Sequence, residues 1–164
     1  MPDAVRPQPE PDDVRSLLGR YPTGVAVVTV ETAEHRLGLT LGSLVTLSLD
    51  PPLVGFAVSK EAAMHELLRE AGGCAISLLA AGQEWLAQHF ARGVPPIAMW
   101  HGVATDEGAA GAPLLVGALG WLECAVREEL AAGTHTFFVC SVLRVEEGPE
   151  APALARVRGA YVSA

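Results

Sequence analysis

Apolar positions in this chain fall into short blocks, many of them β-branched, separated by glycine, proline and charged residues, which is the pattern of strands joined by turns. The run Val25 to Val30 predicts a buried strand, and the polar stretch Glu34 to Arg36 predicts a turn into a second strand that ends near Ser48. Asp50, Pro51 and Pro52 cannot continue a ladder, so a third strand is expected from Leu53 to Val58. Cys74 to Leu79 is again strand-like. Two long strands follow, Leu115 to Glu129 and His135 to Glu146, with the glycine of AAGTH turning between them, and a last strand near Val157 to Val162 closes the sheet.

Helical spacing is confined to three short stretches. Asp12 or Asp13 caps a helix through Arg20 with Val14, Leu17 and Leu18 on one face, ended by Gly19 and Pro22. Glu61 to Arg69 places Met64, Leu67 and Leu68 together before Gly72 and Gly73 stop it. Gln83 to Ala91 is expected to bury Trp85, Leu86 and Phe90 before the break at Pro95 and Pro96, and Gly93 to Gly111 reads as loop. Residues 2 to 11 carry four prolines and no apolar period, so 1–11 is expected to be a flexible leader and 12–164 a single domain. Many strands, few helices and no βαβ alternation predict a mainly β fold with short helices, an antiparallel barrel rather than a doubly wound sheet.

Composition narrows the classes of function. Of 164 residues half are hydrophobic, enough for one real core. The net charge is −8 and Lys60 is the only lysine, which disfavours a phosphate backbone as ligand, so no nucleic-acid partner is expected. No window approaches the roughly 18 apolar residues of a membrane span, and MPDAVRPQPEPDD has prolines and acids where a signal peptide has an apolar core. A cytoplasmic protein without membrane partners is expected. Cys74, Cys124 and Cys140 are odd in number, widely spaced and set among apolar residues, as reduced core cysteines are.

Several familiar chemistries can be removed. His65 and Glu66 begin something like a zinc-protease helix, but HELLR has Arg69 where the second histidine is needed, so no metal site is expected. The chain has no GxSxG elbow, no Walker lysine motif and no GxGxxG after a strand. What remains is a hydroxyl-rich segment: Thr40, Ser43, Thr46 and Ser48 lie beside Gly38 and Gly42, where backbone amides and short hydroxyls can approach a flat or anionic ligand. By composition alone the same residues are ordinary threonines and serines of a half-buried strand.

That segment, GLTLGSLVT from Gly38 to Thr46, is preceded by YPTGVAVVT from Tyr21 to Thr29 and followed by LSLDPPLV from Leu47 to Val54. Together with QHFA at Gln88, GAPLLVGALGWLEC at Gly111, AAGTH at Ala131 and RVRGAY at Arg156, it resembles the flavin reductase family across nearly the whole chain, Tyr21 to Tyr161. The resemblance implies an FMN-binding split antiparallel β-barrel. It also implies NADH- or NADPH-dependent reduction of FMN or FAD, a homodimer, and a partner monooxygenase that receives reduced flavin by diffusion.

Carried onto this chain residue by residue, the resemblance implies that Thr40, Leu41, Gly42, Ser43 and Leu44, with Thr46, Leu47 and Ser48 after them, line the flavin ring and ribityl chain. Lys60, His89 and Phe90 then lie toward the phosphate or the outer flavin edge. His135, with Arg158, Gly159 and Tyr161, lies toward the nicotinamide. Taken without the family, Lys60 is a solvated amine and His135 a turn histidine. The chain departs from the family at Ala62 and Met64, which offer an anion no hydroxyl, and at His89 and Thr134, which replace charged residues. These departures weaken the phosphate site and keep open a second class, a flavin-binding or flavin-sequestering barrel without turnover. The implied chemistry is hydride transfer between the two cofactors, with no protein nucleophile.

Overall fold

The computed structural model describes residues 7–164. The first six residues of the expected leader lie outside the described part. The first helix, α1, runs Pro11–Leu18, with proline in its first turn, where the missing amide costs nothing. A helix is expected here, but it begins one residue before Asp12, so Asp12 and Asp13 lie in its first turn and do not cap it; it ends at Leu18 instead of Arg20, and none of its residues is buried, Leu17 being 65% and Leu18 62% exposed.

The body is a seven-stranded antiparallel sheet in the order β3-β2-β6-β9-β10-β5-β4. Its strands are β2 (Ala26–Glu31), β3 (Arg36–Leu41), β4 (Val45–Leu49), β5 (Pro52–Ser59), β6 (Gly73–Leu78), β9 (Gly120–Ala132) and β10 (His135–Glu147). Two smaller units complete the fold. The strands β7 (Thr105–Glu107) and β8 (Pro113–Leu115) pair with each other, and β1 (Thr23–Gly24) joins β11 (Leu154–Val157) and β12 (Ala160–Ser163) in a three-stranded sheet. This is the split antiparallel barrel expected from the sequence. The sheet curls until the end of β3 meets β5, where the Ser43 hydroxyl accepts from the Ala57 amide at 3.0 Å.

The core lies inside this curl, with Val27, Val28, Val30, Ile76, Phe56, Val58 and Phe138 essentially without solvent contact. The strand β2 is buried on both faces because α2 (Ala63–Ala71), α3 (Glu84–Ala91) and β8 all pack against it. Such a strand reads as a continuous apolar run rather than an alternation, as Val25 to Val30 does. Its one buried polar residue, Thr29, is satisfied by donating to the Pro113 carbonyl at 2.6 Å. The three cysteines are free and buried, as expected, and Cys74 is held un-ionised by hydrogen bonds to the sulfurs of Cys124 and Cys140 and by burial.

Four expectations need correction. The second strand is two strands, β3 and β4, separated by Gly42 to Leu44 and lying at opposite ends of the sheet; the apolar alternation runs through the break, so nothing local marks it. The expected strand from Leu115 is interrupted at Val116 to Leu119, with Gly117 at φ +83°, before β9 begins. The C-terminal strand is the hairpin β11–β12, turning at Arg158 and Gly159, both at positive φ, and it pairs with β1 instead of closing the large sheet. Trp85 is 51% exposed, because α3 turns Leu86, Ala87 and Phe90 inward and leaves the neighbouring position outside. Within the expected loop, a single turn α4 (Pro96–Met99) and the β7–β8 hairpin form as well.

Candidate functional site

Where β3 ends against β5, the split in the barrel leaves a hollow of about 400 Å³ lined by Leu39 to Ser43, Ala57 to Ser59, Ala62 and His135. Each contribution has a local cause. The chain leaves β3 at Leu41 and must cross to β4, so Gly42 and Ser43 are stripped of ladder partners and stand exposed at the rim. Thr40 donates its hydroxyl to the Ala87 carbonyl at 2.6 Å, which fixes β3 against α3. Opposite them, His135 opens β10 in register with Ser59, and its Nδ1 lies 2.9 Å from the Thr134 hydroxyl. Sequence positions nearly a hundred residues apart thus face one another across one opening.

Close to His135 and Ser59, the floor of the hollow carries features that suit an anion. Helix α2 begins after Ala62 with no side-chain cap; the His65 amide donates back to the Ala62 carbonyl at 2.9 Å, which leaves the Ala63 and Met64 amides as the unpaired donors of its first turn. Ser59 stands at the same edge, its hydroxyl accepting from the Glu61 amide at 3.3 Å. Lys60 is exposed next to it, its ammonium donating to the Gly133 carbonyl at 2.8 Å. The ammonium ties the β5 end to the β9–β10 turn. Met64, by contrast, is 3% exposed and belongs to the core, so its lack of a hydroxyl does not bear on the hollow.

The structure brings together Thr40, Leu41, Gly42, Ser43 and His135 in this hollow. Leu44 lines a second one, of about 440 Å³, with Tyr21 to Val25, Gly42 and Ser43. Thr46, Leu47 and Ser48 lie further along β4, with Leu47 against Gly55. Phe90 is 2% exposed and sits over Gly38, where a Cβ would come within 2.5 Å of its ring, so both residues serve the core. The neighbouring His89 places Nε2 2.6 Å from the Met99 carbonyl and lies outside the hollow. Arg158 and Gly159 line a third cavity beside α1, and Tyr161 is half-buried with the Arg156 guanidinium 5.8 Å from its ring centre. Sequence reasoning did not single out Ser59, nor Tyr21 and Thr23; the last two lie in the quoted YPTG segment, which was the available signal.

Residues 18–164 match the flavin reductase like domain family. The chain belongs to that family. It is 41% identical over 141 residues to the NADH-dependent FAD reductase of Streptomyces globisporus, covering 83% of this chain and 76% of that protein. It is 37% identical over 147 residues to the reductase component of 4-hydroxyphenylacetate 3-monooxygenase of Thermus thermophilus, covering 90% and 92%. In three dimensions it superposes on the flavin reductase component of a bacterial two-component tryptophan halogenase with a TM-score of 0.88 at 36% identity, over 94% of this chain and 98% of that one. Across this flavin reductase family the split barrel is therefore shared over essentially the full described chain. Among the described residues no helix is long and apolar enough to cross a membrane, and no group of three or more metal-ligating side chains comes together.

Proposed function

We propose that this protein is an NAD(P)H-dependent flavin reductase that delivers reduced FMN or FAD to a separate monooxygenase. The observation that carries the reading is the hollow in which the Thr40–Ser43 turn faces His135 beside the uncapped start of α2. The residues fit a flavin. Hydroxyls and free backbone at Thr40, Gly42 and Ser43 suit the edge of a planar ring, and the amides after Ala62, with Ser59 and Lys60, suit a phosphate. When bound, a reduced nicotinamide supplies a hydride to flavin, and the protein provides no nucleophile.

The chain's own part is alignment. The bond from Ser43 to the β5 backbone and that from Thr40 to α3 hold the turn in place before any ligand arrives, which lowers the entropy of docking. His135, exposed at the opposite wall, is positioned to contact a second ring and orient it. Relatives named as reductase components of two-component systems support a diffusing flavin product and a monooxygenase partner.

Two further properties belong to the same reading. The outer face of β4, β5 and β10 carries Val45, Leu47, Phe137 and Val139 over Gly55, an apolar patch that supports a homodimer. Three free, buried thiols support residence in a reducing compartment, the cytoplasm.

The test crosses NADH and NADPH with FMN and FAD and follows nicotinamide oxidation. Turnover with at least one pair is expected. Flavin binding without any nicotinamide oxidation would instead make the protein a flavin-sequestering barrel.

A further inference from the structure

Behind the His135–Ser43 hollow, the first turn of α2 buries a histidine. His65 is 4% exposed and stands edge-on to the Phe138 ring, with centroids 5.6 Å apart. Both of its ring nitrogens are engaged. Nδ1 lies 2.8 Å from a Glu66 carboxylate oxygen, and Nε2 lies 2.7 Å from the hydroxyl of Thr136, itself a buried residue. A carboxylate only accepts, so Nδ1 carries the proton, and Nε2 of the neutral ring accepts from the Thr136 hydroxyl. The same His65 hydrogen bond, helped by the Arg69 charge, holds the Glu66 carboxyl below its ordinary range and so keeps that acceptor ionised.

Thr136 follows His135 on β10. Successive strand residues face opposite sides, so His135 turns to the hollow and Thr136 to the core. On the helix, His65 directly follows Ala63 and Met64, whose amides are the unpaired donors of the first turn. The His65–Thr136 bond therefore joins the floor of the hollow to its His135 wall from behind. Among the described residues, two side-chain hydrogen bonds tie α2 to the sheet: this buried one, and an exposed one from Arg69 in the last turn to Glu129 at 2.8 Å. The rest of the grip is Met64, Leu67 and Leu68 in the core. Apolar burial has no direction and tolerates a small rotation of the helix, whereas a hydrogen bond weakens steeply once it is misaligned.

We propose that His65 and Thr136 are positioning residues of the reductase: their buried hydrogen bond sets where the first-turn amides of α2 stand relative to His135, and so how the phosphate of a bound flavin is held. This rests on the flavin reductase reading and deepens it with two residues that lie outside the lining of the hollow. Removing the Thr136 hydroxyl leaves a buried ring nitrogen without its partner. The helix relieves that by turning, which moves the amides off the phosphate. The Thr40–Ser43 turn is held separately, by Ala87 of α3 and Ala57 of β5, and keeps its place against the flavin ring.

Titration of the full-length protein with FMN and with riboflavin, which lacks the phosphate, tests this. Thr136→Val keeps the side chain's shape and removes the hydroxyl, while Thr136→Ser keeps the hydroxyl. Thr136→Val is expected to weaken FMN binding about fivefold or more and riboflavin binding less than about twofold, and Thr136→Ser to stay within about twofold of wild type for both. His65→Leu, whose apolar side chain suits the Phe138 contact, makes the same comparison from the other side of the bond and serves where Thr136→Val does not fold. The double variant should lose no more FMN affinity than either single one, because the two residues share one bond. Equal losses for the two flavins, FMN affinity unchanged beside a lowered urea midpoint, or a wild type that binds both flavins equally would overturn the proposal and leave the pair a feature of the core. A wild type that binds neither flavin sinks the flavin reductase reading and this inference with it, whereas FMN binding that all the variants share sinks this inference alone.

Discussion

His135 shows how one residue changes meaning between chain and fold. In the sequence it follows a glycine turn and reads as a turn histidine; in the structure it forms one wall of an opening whose other wall is Gly42 and Ser43. Its ring makes one hydrogen bond, to Thr134, on the same turn, and is otherwise exposed, so removing it leaves no buried partner unsatisfied. His135→Ala should therefore fold normally. If the imidazole contacts the incoming nicotinamide through one hydrogen bond, about 1 kcal/mol is lost, and the apparent nicotinamide Michaelis constant should rise roughly fivefold. Flavin affinity, measured by titration, should change much less; equal kinetic constants for both ligands would return His135 to a turn residue. Ser43 was legible as a candidate, but not its second duty of bridging to Ala57 across the split. Ser59 escaped because a serine at a strand end carries no pattern of its own.

At the scale of elements, most strands and helices follow from local pattern, and the errors sit where two elements share one pattern. Gly38 illustrates the other kind of information a sequence withholds. It reads as part of a ligand cradle, yet it is buried in β3 beneath Phe90 of α3, and a methyl group there would stand 2.5 Å from the ring carbon. The Phe90 ring is itself buried against Trp100 and cannot swing into solvent. Gly38→Ala should therefore cost about 1–3 kcal/mol by overpacking. Urea unfolding would show the drop in midpoint, and an unchanged midpoint would mean that α3 rides more loosely on the sheet than its contacts suggest. Because Thr40 hangs on the same helix through Ala87, the variant should also weaken flavin binding, a coupling that Gly24→Ala, with open space around its Cβ, should lack.

For the whole molecule the unsettled surface is the outer face of β4, β5, β10 and β9. Leu130 stands opposite Phe137 in the ladder and is 52% exposed, beside Val139, Val45 and Leu47. A face of this kind is covered in solution, and light scattering should return about twice the 17.1 kDa of one chain at micromolar protein. Leu130→Glu, which places a charge beside Phe137, should shift the mass toward that of a monomer; a monomeric wild type would end the proposal. The sequence by itself determined the strand-rich class, the cysteine state and the hydroxyl-rich segment at Thr40 to Ser43, because each depends on local periodicity, residue chemistry or burial of a continuous apolar run. Only the tertiary structure decided that β3 and β4 part to opposite ends of the sheet and that His135 faces Ser43. Those juxtapositions join residues far apart in the chain, and long-range pairing is set by how the whole sheet curls and what its core will accept, which no window of neighbouring residues encodes.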